Sequence, residues 1–118
     1  MIMNISELRP SLRSVEITAK IIEINETRAV VASTDNSQHK VAEVLVADET
    51  GSILLTLWDE NIEIAEERKT YKITNAYTSI YKNSLRLNLG KYGKIEQSST
   101  EIKNAKTTPN ISEKEFEF

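Results

Sequence analysis

Five short stretches in which apolar residues return at every second position, broken once by an interval suited to helix, constrain this chain more than any other feature. Ser52-Ile53-Leu54-Leu55-Thr56-Leu57-Trp58 is the clearest of them. Strand side chains alternate between faces, so Ile53, Leu55 and Leu57 belong to one face and Leu54, Thr56 and Trp58 to the other. Val15 to Ile21 alternates in the same way, and residues 28–33 are expected to extend that strand after a bend near Asn25. Lys40 to Ala47 is valine-rich and ends at Asp48-Glu49-Thr50-Gly51, a hairpin turn by composition. Thr70 to Thr78 and Ser84 to Leu89 complete the set, with a loop predicted over Tyr81-Lys82-Asn83-Ser84. The interval 59–67 breaks the alternation and favours a short helix, for which Asp59 is the candidate cap.

Strand, strand, strand, short helix, strand, strand within about 90 residues is the element order of an OB fold. The expectation is an all-β domain: a five-stranded OB-fold barrel with a short helix between the third and fourth strands. Another small five-stranded barrel is the alternative, because periodicity does not prove closure. The domain is assigned to residues 1–95. Residues 96–118 are polar and without periodicity, and are expected to form a flexible C-terminal tail.

Several function classes drop out at once. The 118 residues hold no cysteine and a single histidine, His39, which is expected in a surface loop. That leaves no disulfide, no thiol nucleophile and no Cys- or His-based metal centre. Gly51, Gly90 and Gly93 do not make a phosphate loop. Asp48/Glu49 and Glu66/Glu67 read as a turn and a solvated helix end rather than acid–base pairs. No catalytic constellation is present, no cofactor is implied, and the chain is expected not to be an enzyme. No run reaches the roughly 18 apolar residues of a membrane span. Glu7 and Arg9 stand where a secretory leader would be apolar, so a cytoplasmic protein is expected.

The net charge of −3 conceals an uneven distribution. Residues 59–67 carry five acids and no base, whereas residues 68–95 carry seven bases and no acid. The aromatic residues are uneven too. None precedes Trp58; Tyr71, Tyr77, Tyr81 and Tyr92 follow it, and Phe116 and Phe118 end the chain. The domain core must therefore come from Ile, Val, Leu and Ala, with Tyr71 and Tyr92 read as core or rim residues. Trp58 is different, since parity places it outside the barrel. An exposed tryptophan beside Tyr77, Tyr81, Lys82 and Arg86 suits single-stranded nucleic acid: bases stack on the rings and phosphates meet the cations. Tyr77 shares parity with the inward Tyr71 and Ile73, so a bulge near Asn75 is required to turn it outward.

VADETGSILLTLW, followed by KITNAYTSIYKNSLRLNLGKYGKI, closely resembles the archaeal single-stranded DNA-binding proteins with one OB domain, over about residues 6–97. The eukaryotic single-OB sensors of single-stranded DNA and the OB domains of replication protein A are similar but more distant. The resemblance implies base stacking on Trp58, Tyr77 and Tyr81, with Thr56 on the same face, and backbone contacts from Arg28, Lys82 and Arg86. It implies single-stranded DNA as partner, a monomer in solution, and an archaeal, nucleoid-associated location in replication, recombination and repair. The family's tail is typically longer and carries glycine and arginine. Here its tip, Glu113, Glu115, Phe116, Glu117 and Phe118, is either a docking element for partner proteins or an inert end. An RNA-binding OB module, and an OB domain serving as a protein-interaction subunit of a larger assembly, are the alternatives on sequence alone.

Overall fold

The computed structural model describes residues 2–25, 27–31 and 35–113. Its strands are β1 (Val15–Ile24), β2 (Arg28–Val31), β3 (Gln38–Ala47), β4 (Ser52–Trp58), β5 (Thr70–Tyr81), β6 (Ser84–Asn88) and β7 (Lys94–Gln97). One short helix, α1 (Glu60–Ile64), lies between β4 and β5. Antiparallel pairing joins β1 to β3, β3 to β4, β6 to β5 and β5 back to β1, while β4 and β6 pair in parallel. These five pairings make a closed ring, and its members are the five strands expected from the sequence. The sheet nevertheless has seven strands rather than five. β2 continues along the edge of β3 that β1 has left, and β7 adds to the first half of β5.

Alternation accounts for what fills the ring. Val15, Ile17, Ala19 and Ile21 of β1 point inward, with Val44 and Val46 of β3, Ile53, Leu55 and Leu57 of β4, and Leu85 and Leu87 of β6; all are essentially inaccessible. Fully burying each of the valine, isoleucine and leucine side chains among them is worth about 1.5–3 kcal/mol. Tyr71 is the aromatic member of this core. Its hydroxyl donates to the Ile64 carbonyl at 2.8 Å and accepts from the Glu66 amide at 2.9 Å, which ties the end of α1 to β5. Asp59 does not cap α1 as expected. With φ +51° its carboxylate turns away from the helix and accepts the Lys40 amide of β3 at 2.9 Å.

The predicted loop over Tyr81–Ser84 is tighter than expected. Tyr81 and Ser84 pair across the ladder, leaving only Lys82 (φ +50°) and Asn83 (φ +65°) as the turn. Two consecutive left-handed residues match the twist of the strands they join.

The structure departs most from the sequence expectation over residues 96–113, which do not form a free tail. Lys94–Gln97 is strand, Ile102 is buried, and the chain then crosses the open edge of β4. The Ser52 amide donates to the Pro109 carbonyl at 3.0 Å, and a Cβ on Gly51 would stand 2.8 Å from the same oxygen. Ser112, itself buried, accepts the Leu54 amide of β4 at 2.9 Å and donates to the Leu85 carbonyl of β6. The segment looked featureless because its bonds are made through backbone and serine, which leave no hydrophobic period. Glu115, Phe116, Glu117 and Phe118 lie outside the described residues.

Ser112→Ala should lower stability by about 1–2 kcal/mol, because a buried amide loses its acceptor. Urea unfolding followed by Trp58 fluorescence measures this; no change in midpoint would mean that the segment is not fastened here.

Candidate nucleic-acid interface

The outer face of the ring is laid out by register. Across β5, β6, β4 and β3, Tyr77 pairs with Asn88, Asn88 neighbours Thr56, and Thr56 pairs with Glu43. One rung along, Ser79 pairs with Arg86, and Arg86 neighbours Leu54. Trp58 pairs with Val41, which in turn pairs with Arg28 of β2. Five strands therefore deliver their outward side chains to one surface.

Tyr77 reaches that surface through the bulge that its parity required. Val15 and Ile17 of β1, two residues apart, face Ala76 and Ile73 of β5, three apart. The additional residue lies next to Asn75, which has φ +54°. Before it Tyr71 and Ile73 point inward; after it Ala76 and Thr78 do, and Tyr77 is 43% exposed. Asn is well suited to the position because it tolerates the left-handed region.

Trp58 and Tyr81 are 41% and 43% exposed. They line one groove of about 220 Å³ with Arg28, Thr56 and Arg86. Trp58 also lines a neighbouring cleft with Tyr77, so it is shared by both. Lys82 lies at the hairpin tip with its Nζ 5.4 Å from the centre of the Tyr81 ring. Trp58, Tyr77, Tyr81, Arg28, Lys82, Arg86 and Thr56 thus fall on one side of the molecule.

The cations are less free than the sequence suggested. Lys69, Lys72 and Lys94 pair with Glu66, Glu16 and Glu96. Arg86 is largely enclosed, with Nη1 2.6 Å from the Glu43 carboxylate. That contact is close but poorly directed, so Nη1 is balanced by charge without a well-formed hydrogen bond. Nε bonds to the Ser84 hydroxyl at 3.1 Å, and the guanidinium lies 5.5 Å from the Tyr81 ring centre. Arg86 therefore braces Tyr81. Arg28 and Lys82 are exposed cations beside Trp58 and Tyr81, and the exposed Lys91 lines the cleft of Trp58 and Tyr77. Glu43 was missed in the sequence, although parity with Val44 and Val46 already placed it outside.

His39, expected in a surface loop, instead belongs to β3. Its Nδ1 lies 2.8 Å from Asp59 Oδ2 and its Nε2 2.8 Å from the Ser37 hydroxyl. The Lys40 amide first, and His39 second, hold the Asp59 carboxyl below its usual value of 3.8. The Ser37 hydroxyl and amide do the same for Asp35. Among the described residues no group of three or more His, Cys, Asp or Glu could hold a metal ion. Nor, among them, is any helix long and apolar enough to cross a membrane.

The family model of single-stranded DNA binding protein Ssb-like OB folds matches residues 8–97. The chain belongs to this family. The family is one of binding proteins, in agreement with the expectation that the chain is not an enzyme. Single-stranded DNA binding protein Ssb of Saccharolobus solfataricus is 35% identical to this Ssb-like chain over 95 residues, or 80% of its length. That alignment spans 63% of the Saccharolobus protein. The solution structure of a hypothetical protein of Arabidopsis thaliana superposes with a TM-score of 0.83 at 27% identity, covering 100% of this chain and 87% of that one. The second OB-fold domain of replication protein A from Methanococcus maripaludis superposes with a TM-score of 0.69 at 22% identity, over 87% of this chain and all of its own. The OB assignment stands on these likenesses and on the ring of strands.

Two outcomes are expected. Asn75→Gly should fold normally, whereas Asn75→Val should cost about 1–2 kcal/mol by forcing a branched side chain into the left-handed region. Thermal melting of the two variants compares them, and equal stability would remove the bulge from the argument. The lowered Asp59 carboxyl contributes stability that is complete above the unfolded value of 3.8 and is lost as pH falls through the lower folded value. Melting temperature against pH should therefore fall less steeply below pH ~4 in Asp59→Asn than in the parent.

Proposed function

We propose that the chain is a sequence-tolerant binder of single-stranded DNA. It protects and presents exposed strands during replication, recombination and repair, as a monomer, on the nucleoid in the cytoplasm. The observation that carries this is the arrangement of Trp58, Tyr77 and Tyr81 on one outer face, exposed and linked through shared clefts. Every base has a π-face, so stacking on three rings holds a strand without reading its sequence, at about 1–3 kcal/mol per base. Arg28 and Lys82 meet the phosphates on either side of Tyr81. Arg86, occupied by Glu43, keeps the Tyr81 ring in place for stacking. Duplex DNA binds poorly, because its bases already stack on one another. The name of the Saccharolobus relative supports the same ligand.

Trp58 reports on its own site. Titration with oligo-dT should quench its fluorescence strongly, and duplex should not. Trp58→Ala should weaken binding at least about tenfold with the fold intact, measured by anisotropy of a labelled oligonucleotide. With two free cations on the strand, log affinity should fall by ~1.4 per tenfold rise in salt. An equal response to duplex, or unchanged affinity in Trp58→Ala, would refute the assignment and direct the search to a protein partner. Tighter binding of oligo-U than of oligo-dT would assign the surface to RNA.

A further inference from the structure

The function proposed above uses Tyr77 through the cleft it shares with Trp58. Tyr77 also borders a second cleft, of about 390 Å³, lined by Arg13, Asn75, Tyr77, Leu89, Lys91 and Tyr92 among others. Tyr92 is 77% exposed, more than Trp58, Tyr77 or Tyr81. Lys91 Nζ stands 5.6 Å from the centre of its ring, repeating the arrangement of Lys82 over Tyr81. Arg13 and Lys91 are exposed, and neither has a carboxylate partner among the described residues.

The second cleft is built onto the first. Asn75, whose left-handed backbone turns Tyr77 outward, also donates from Nδ2 to the Tyr92 carbonyl at 3.2 Å. Gly90, with φ +70°, lies so close beneath Tyr77 that a Cβ there would stand 2.8 Å from the ring. One bulge and one glycine thus fix Tyr77 and the turn bearing Tyr92 relative to each other.

Charge separates the two ways past Tyr77. Lys91 lines both clefts, but Asp59 and Glu60 stand with it in the cleft shared with Trp58, whereas Arg13 and no carboxylate stand with it in the cleft shared with Tyr92. The lining beyond Tyr77 is thus the more positive of the two, and a polyanion continuing past Tyr77 is attracted along it.

We propose that the Tyr92 cleft is a further nucleotide subsite. The strand continues past Tyr77, its next base stacks on Tyr92, and its phosphate meets Arg13 and Lys91. This inference rests on the single-strand binding proposed above and extends the path by one base and up to two phosphate contacts.

Oligo-dT series of about three to about eight nucleotides separate the two proposals, read by anisotropy on the full chain. Tyr92→Ala should weaken binding of the longest oligonucleotide about fivefold or more while leaving the shortest unchanged. Arg13→Ala should lower the salt slope of the longest by ~0.7 and leave that of the shortest unaltered. Circular dichroism checks that both variants fold, as expected for exposed side chains. If Tyr92→Ala and Arg13→Ala bind every length like the parent while Trp58→Ala does not, the strand ends at Tyr77 and the subsite is refuted. If Trp58→Ala is also without effect at every length, the single-strand assignment itself has failed.

Discussion

One residue out of step in β5 organises the binding face. Without the bulge at Asn75, alternation would carry Tyr77 inward together with Tyr71 and Ile73. With it, one strand supplies the core in its first half and the binding surface in its second. The same backbone change reverses the inward set from odd-numbered to even-numbered residues, so that Ala76 and Thr78 finish the core. Thr78 then uses its hydroxyl locally, donating to the Arg9 carbonyl and accepting the Leu12 amide, which fastens the N-terminal segment against β5. A defect in the ladder is thus absorbed by the packing around it and used to aim a side chain.

The electrostatics of the face follow a different logic from the one suggested by net charge. Of seven cations that follow one another in the sequence, most are individually engaged once folded. Three lysines meet carboxylates at the surface, where such pairs are worth little. Arg86 meets Glu43 in a more enclosed setting and serves to hold an aromatic ring. The free positive charge on the face is small: Arg28 lines the groove, and Lys82 and Lys91 stand over tyrosine rings. Affinity on such a surface depends more on stacking and less on phosphate neutralisation than charge counting implies.

The fold was legible wherever period-two alternation was present. SILLTLW gave both the inward set and the outward position of Trp58, and the misfit of Tyr77 was enough to require a bulge. β7 was harder because it is four residues long, too short for a period to register, while β2 was legible as strand over 28–31 but not as a separate member of the sheet, and residues 32 and 33 lie outside the described residues. The segment after Gln97 was read as a tail since its anchors are backbone carbonyls and serine hydroxyls. Asp59 was assigned to the helix that follows it, when its bonds run back to β3 across a long-range contact that composition does not encode. Glu43 shows the opposite case: its outward position was readable, but its pairing with Arg86 depends on the strand order around the ring.

The fastening of β4 by Ser112 also bears on the order in which the protein is made. β4 emerges early in synthesis, and its pairing with β3 through a short turn needs nothing made later. The Ser52 and Leu54 amides on its other edge receive their final partners only when Pro109 and Ser112 have left the ribosome. Until then the nascent domain presents an incompletely paired strand edge, the kind of surface on which chains associate edge to edge. Docking of this last segment is therefore a late event, and an interrupted chain that ends before Ser112 carries that open edge permanently.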